Sequence, residues 1–250
     1  MKLAELKEAD KVQVEYTIPK NLMSGGGSNA KTKKNSRDTR IMYMSPATEN
    51  SKGKDMCPYR SAGCTASCLS DSGRMRMSNV KKSHRNKTEY FLDDPKTFIS
   101  QLTLELEWTN IQARKKGERI AVRLNGTTDR DFLYLIKKFT NKDFTEWTHL
   151  QFYDYTKDPY KLRRYDKANY VQTFSMSEDN HDKCIEALAD GYPVAVVFRN
   201  ELPETWMGYP VVDGDSSDDL MLDRPYDSGY VIGLKAKGPA KKDYSGFVID

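Results

Sequence analysis

No apolar run in this chain of 250 residues approaches the ~20 residues that a membrane span needs. The opening stretch, MKLAELKEADKVQVEY, carries Glu5, Glu8, Asp10 and Glu15 and has no apolar centre, so it does not read as a secretory signal. A cytoplasmic protein with no membrane partner is therefore expected. A phosphate-binding Gly-Lys-Ser loop is missing, and so are a nucleophile elbow and an internal repeat. One-sided charge is lacking too: a net charge of +4 is mild and does not by itself argue for nucleic acid. Mean hydropathy is low at −0.77. Aromatic residues make up 11% of the chain, however, and each buries enough area to keep a packed core feasible.

The charges that are present are unevenly placed. Six Lys or Arg lie between Lys20 and Arg40 against one acid, Asp38. Within that stretch, residues 18–40 are rich in Gly, Ser and Lys, so residues 1–40 read as a flexible basic arm before a single α/β domain over 41–250. A second basic stretch holds Arg74, Arg76, Lys81, Lys82, Arg85 and Lys87, with His84 and no acid. Residues 74–87 are a candidate contact for nucleic acid, the competing reading being a solvated surface. The acidic VVDGDSSDDLMLD lacks the offsets of an EF-hand and reads as an exposed turn.

Element signals are clearest in the second half. Asp94 and Pro95 make a sound helix start, and Phe98, Leu102, Leu106 and Ile111 follow at roughly helical spacing. Short apolar strands are expected at 120–125, 149–153, 169–174, 193–198, 209–212 and 230–235, with helix candidates at 131–140, 159–165 and 179–189. Strands alternating with helices argue for parallel βα units. The expected fold is a partial or irregular βα barrel with the cysteine loop over the C-terminal strand ends. Polar residues gather after each strand, where such folds build their sites. Asn125, Asp154, Lys157, Ser175, Glu178 and Arg199 are thus candidates to surround a cofactor or bind a small ligand.

The strongest motif is CPYRSAGCTASC, which brings Cys57, Cys64 and Cys68, three of only four cysteines, into twelve residues. Clustered cytosolic cysteines point to metal or redox chemistry rather than to structural disulfides. Structural zinc wants four closed ligands, and only three thiols are local. Three thiolates suit a cubane iron–sulfur cluster (4Fe-4S) with one iron left open. Small neighbours, Ala62, Gly63, Ala66 and Ser67, let backbone N–H groups approach the sulfurs. Zinc and plain thiols stay as alternatives. Cys184, in HDKCIEALADGY, reads as a small hydrophobe packed into a core, and His84 reads as a surface residue.

The segments CPYRSAGCTASCLSDSGR and KSHRNKTEYFLDDPKTFISQL resemble a bacteriophage family labelled gene product eighty-eight. The features that carry the likeness are Cys57, Pro58, Gly63, Cys64, Cys68, Leu69, Gly73, Arg74, Arg85, Thr88, Phe91 and Asp94. RLNGTTD, FYDYTK, TFSMSEDN, VVDGD and GLKAKG extend it over roughly residues 40–250. The resemblance implies a phage protein working in the host cytoplasm and assigns no activity. A more distant likeness is to radical S-adenosylmethionine enzymes, which pair a three-cysteine cluster loop with a partial βα barrel. That likeness implies S-adenosylmethionine at the open iron. The cysteine gaps here are six and three residues, wider than in that class, and RLNGTTD stands where its Gly-Gly-Glu would be. The leading expectation is an iron–sulfur protein with redox or radical-type chemistry. The alternative is a non-catalytic, metal-stapled module, with iron–sulfur or zinc, that contacts nucleic acid.

Overall fold

A computed structural model describes residues 16–25, 27, 32–165, 169–222 and 227–250. Its frame is a ten-stranded sheet, mostly parallel. The strands are β1 (Met23–Gly25), β2 (Thr39–Met42), β3 (Ile120–Arg123), β4 (Leu150–Thr156), β5 (Tyr170–Ser175), β6 (Val194–Phe198), β7 (Thr205–Trp206), β8 (Tyr209–Asp213), β9 (Val231–Lys235) and β10 (Val248–Ile249). They lie in the order β1-β2-β3-β4-β5-β6-β9-β8-β7, with β10 beside β6. Among the described residues only β1–β2 and β7–β8 pair antiparallel.

The helices are α1 (Ala62–Ala66), α2 (Ser78–Asp93), α3 (Pro95–Lys116), α4 (Phe132–Thr140), α5 (Pro159–Arg164), α6 (His181–Ala189) and α7 (Asp219–Leu222). Their ends follow local chemistry. Asp94 accepts from the Thr97 N–H with Pro95 in the first turn, and α3 stops at Gly117, whose φ of 67° suits a residue without Cβ. Asp131 caps α4 by accepting from Tyr134 N–H, and Asp158 caps α5 ahead of Pro159.

Strand alternation sorts the core into two layers. Leu150 and Phe152 of β4 and Tyr170 of β5 meet Phe98, Leu102 and Leu106 of α3 and Phe132 and Ile136 of α4. Phe174, two turns of the pleat further along β5, meets Cys184, Ala187 and Leu188 of α6 and Leu162 of α5. Helices α3 to α6 therefore cover one face. On the second face Tyr153, Ala195, Tyr230 and Ile232 pack with Met221 and Leu222 of α7.

The sequential order β2 to β6 with helices on one face is the winding of a βα barrel, but the sheet does not close. Its edges, β1 and β7, sit in antiparallel hairpin-like pairs, which end the parallel winding at both sides. The barrel expectation is corrected to an open α/β sheet. Near the C-terminal ends the sheet also forks. Ser175 is the last β5 residue paired with β6, opposite Ala195, and beyond it β10 takes over, with Val248 opposite Val197 and Ile249 opposite Phe198.

The reading of 1–40 as an arm is corrected where it can be compared. Residues 1–15 lie outside the described residues, but Leu22 is fully buried and β1 pairs with β2. The Glu105 carboxylate accepts from the Leu22 and Met23 N–H groups at 2.7 and 3.1 Å, tying this stretch to α3. The acidic segment also differs from an exposed turn: Asp218 is buried and accepts from the Tyr153 hydroxyl at 2.9 Å. Asp223 lies outside the described residues. No helix among the described residues is long and apolar enough to cross a membrane.

Candidate functional site

The cysteine segment docks on the loops that follow the parallel strands. Asp129 N–H, past the end of β3, donates to Met56 C=O at 3.0 Å, and Met56 N–H donates to Ala47 C=O at 2.8 Å. Ala47 carries a positive φ of 47°, a conformation that costs a residue with a Cβ. In that conformation its N–H donates to Cys57 Sγ at 3.5 Å. Cys57 N–H donates in turn to Asp55 Oδ1 at 2.8 Å.

Short helix α1 carries Cys64. Ser61 is its N-cap: Ser61 Oγ accepts from Cys64 N–H at 3.0 Å. The same hydroxyl donates to Glu178 Oε2 at 2.7 Å, while Gly63 N–H donates to Glu178 Oε1 at 2.6 Å. One carboxylate beyond β5 thus clamps the start of α1 with both oxygens. Gly63 is required by this closeness, since a Cβ there would lie 2.3 Å from Ser245 Oγ and 2.7 Å from Glu178 Oε2. Cys64 packs against the small cluster of Phe247, Val248, Ala236 and Ala240 at the fork of the sheet. Ser67 Oγ, one residue before Cys68, is buried with no hydrogen-bond partner.

The three thiols are free and partly exposed. Burial pushes the Cys57 thiol up to about 12; the Ala47 N–H opposes this, and negative charge on Asp129, Cys68 and Cys64 adds to it. Burial also raises the Cys68 thiol, against the hydroxyl and N–H of Ser70, with Cys64 contributing a further rise. Cys57 thus feels charge on Cys68 and Cys64, and Cys68 feels charge on Cys64. Among the described residues no three His, Cys, Asp or Glu groups are already drawn into a set that could hold a metal ion.

Behind the segment lies a buried polar network. Asn125 N–H and Nδ2 donate to the two oxygens of Asp154 at 2.9 and 3.1 Å. Asn125 Oδ1 accepts from Thr128 Oγ1 and Arg130 N–H at 3.0 and 2.9 Å, which shapes the loop. Asp129 accepts from Lys161 Nζ at 3.0 Å, Thr156 Oγ1 at 2.9 Å and Lys157 N–H at 2.8 Å. Burial raises the Asp154 carboxyl, against the charges of Lys161 and Arg123.

The expected ligand-binding residues therefore separate. Asn125 and Asp154 meet in one buried network that shapes the Cys57 loop, and Glu178 reaches the cysteine segment itself. Lys157 lies with its ammonium 5.4 Å from the centre of the Phe247 ring. Ser175 gives its carbonyl to Asn180 Nδ2 at 2.9 Å. Arg199 is drawn away: it donates to Lys241 and Asp243 carbonyls at 3.2 and 2.6 Å, pairs with Asp250, and lies over the Tyr244 ring. Its work is to hold the C-terminal segment that β10 belongs to. Lys161 and Ser61 were not singled out by sequence. Ser61 had a usable signal, a Ser just before small residues of helical spacing; Lys161 had none.

The basic stretch divides. Arg74, Arg76, Lys82 and Arg85 are exposed, whereas His84 and Lys87 are buried. Lys81 pairs with Asp71 and Arg85 with Glu89. Burial pulls Lys87 down to about 8 although Glu105 opposes it, and Lys87 Nζ donates to Leu22 C=O at 3.3 Å. The expectation of a surface His84 is corrected: its ring stacks on Tyr43 at 5.6 Å. Burial, and then Lys87, lowers its pKa from 6.5 to about 4.

A pH dependence follows. The folded His84 stays neutral where the unfolded one takes a proton, so stability is lost as pH falls from about 6.5 through about 4. The loss amounts to on the order of 2–3 kcal/mol. Denaturant unfolding at neutral and acid pH should show a loss larger by that amount in the wild type than in His84→Phe. Equal losses would contradict it.

No curated protein and no solved structure matches the chain, so the likeness to radical S-adenosylmethionine enzymes gains no support from relatives. The family model of Gene product 88 matches residues 20–250. That match takes in the cysteine segment, the loops it docks on and the clamp from Glu178, and the chain belongs to the Gene product 88 family.

Proposed function

We propose that the chain binds an iron–sulfur cluster through Cys57, Cys64 and Cys68. One observation carries this reading: three thiols fall within twelve residues of one segment docked on the strand-end loops, and the Ala47 N–H donates to the Cys57 sulfur at 3.5 Å. Burial and the neighbouring sulfurs make the Cys57 and Cys68 thiolates costly here. A bound cation removes that cost, because coordination deprotonates a thiol outright. The Ala47 N–H and the Ser70 N–H are then the groups that would steady the sulfurs and tune a potential.

The chain's own residues have definable tasks. Glu178 and Ser61 hold α1 and so set where Cys64 stands. Asp129 holds Met56 and so sets where Cys57 stands. A cubane on three thiolates keeps one iron open to a small ligand, and S-adenosylmethionine, through its amino and carboxylate groups, is the ligand to try first. A contact with nucleic acid is a second reading. It is favoured by exposed Arg74, Arg76 and Lys82, which have no ion-pair partner among the described residues.

Purification without oxygen tests the first reading. The protein should be brown and carry iron and acid-labile sulfide in near-equal amounts. A colourless preparation with tightly bound zinc would overturn it and leave the metal-stapled module.

A further inference from the structure

Helix α3 is the longest of the described helices at 22 residues. One side of it enters the core through Phe98, Leu102, Leu106 and Ala113, all fully buried. The opposite side carries Leu104 and Trp108, which are 60% and 62% exposed. They stand one turn apart on a single stripe, formed by Thr97, Ser100, Leu104, Trp108, Ile111 and Lys115 at steps of three and four residues. A lone exposed leucine needs no explanation, but a leucine and a tryptophan along one stripe make a continuous apolar ridge.

The ridge is uncharged between its ends. Glu107, on its flank, is neutralised by Lys142 at 3.0 Å. The Ser100 hydroxyl donates to Lys96 C=O at 2.9 Å, so its own helix satisfies it. Charge comes at the ends, with opposite signs. Exposed Asp93, which pairs with Lys52, and exposed Asp94, which caps the helix, precede the first turn. Exposed Arg114, Lys115 and Lys116 fill the last turn. Reversed end to end about Leu104, the stripe becomes its own complement. Leu104 meets Leu104, Trp108 meets Ser100, Ile111 meets Thr97, and the basic end meets the acidic end. Large side chains thus fall opposite small ones along the whole ridge.

We propose that this face of α3 is a docking surface for a second copy of the chain, the two helices pairing antiparallel about a two-fold axis at Leu104. A two-fold dimer uses the same patch on both copies and needs it to be self-complementary, as this stripe is. Antiparallel pairing also sets the two helix dipoles against each other favourably. Trp108 is the anchor, since a tryptophan near the middle of a contact contributes more than its neighbours. Two helix stripes bury little area, so the dimer is reversible and concentration-dependent. The surface stands independently of the cluster, since none of its residues belongs to the cysteine site.

Sedimentation of the full chain, over about 1–200 μM, should show a monomer–dimer equilibrium. Leu104→Glu sets two like charges together at the axis and should weaken association more than about tenfold. Trp108→Ala should weaken it about tenfold, and Lys115→Glu about threefold. Both apolar positions are exposed, so the variants should keep the wild-type circular dichroism. Leu104→Cys, treated with a short bismaleimide, should give a covalent dimer whose peptide map shows a link from position 104 to position 104. A monomer throughout, or a dimer undiminished in Leu104→Glu, would overturn the proposal. A monomer that dimerises only once residues 1–15 are removed would give the ridge to the chain's own start and overturn it too. A dimer lost in Leu104→Glu but without the 104–104 link would overturn the antiparallel pairing.

Discussion

Alanine at Cys57, Cys64 or Cys68 should each abolish or strongly reduce iron and sulfide content, whereas Cys184→Ala should leave both largely intact. The contrast rests on where the fourth thiol lies. Cys184 is 0% exposed in the layer between α6 and the sheet, among Leu162, Phe174, Ala187 and Leu188. Its Sγ donates to Asn180 Oδ1 at 3.4 Å within the same turn. Burial pushes its thiol up to about 12, with only Lys157 opposing. A thiol held neutral in an apolar layer is a packing group. Its loss should cost about 1 kcal/mol, a typical core value, and no iron. The other three sit in a shared, partly exposed surrounding, and each alanine removes a ligand that the rest cannot replace. Iron, sulfide and the visible spectrum check the expectation, with circular dichroism as the control for folding. Should Cys184→Ala lose the metal as completely as the others, the site has four thiolates and the open-iron reading falls.

The parts of this architecture that were legible in the sequence are those decided by near neighbours. Asp94 and Pro95 start α3 because a cap and a preset φ act within one turn. Strands β3 to β6 were legible because their apolar runs alternate with amphipathic helices. Closure was not, since it depends on which distant edges pair, and MSG in β1 or VI in β10 carries no strand signal of its own. Both strands exist through long-range partners: β1 through the Glu105 carboxylate and β10 through its pairing with β6. Composition misled at His84, where a basic helix implied solvent but Tyr43, 41 positions earlier in the sequence, covers the ring. It misled at Arg199 in the same way, because Asp250 and the carbonyls of Lys241 and Asp243 come from the chain's far end. Of the candidate site, the cysteines and Glu178 could be named from sequence. The role of Glu178 as a clamp could not, because Ser61 and Gly63 stand 117 and 115 positions away from it.

Lys161→Met should destabilise the protein by about 3–5 kcal/mol at neutral pH, the usual cost of leaving a buried charge unpaired. The Lys161 side chain is 3% exposed and that of Asp129 12%, with Nζ and Oδ1 at 3.0 Å. Lys161 also opposes the burial of the Asp154 carboxyl, which stands above its ordinary range. Methionine fills a similar volume but leaves two carboxylates in the network without their ammonium. The sign of the pH dependence follows from Asp154. A carboxyl raised in the folded state stabilises the fold where it is protonated and loses that contribution as pH rises through its folded value. Removing Lys161 raises it further, so the deficit should be largest near neutral pH and shrink on acidification as Asp154 takes up its proton. Adding Asp129→Asn to Lys161→Met removes one stranded charge while keeping an acceptor for Thr156 and Lys157. The double variant should recover part of the loss, which makes the coupling between the two positions measurable. Denaturant midpoints at both pH values give the answer. A deficit below about 1 kcal/mol at neutral pH, unchanged on acidification, would mean that water screens the pair and that Asp129 holds the Cys57 loop without help from Lys161.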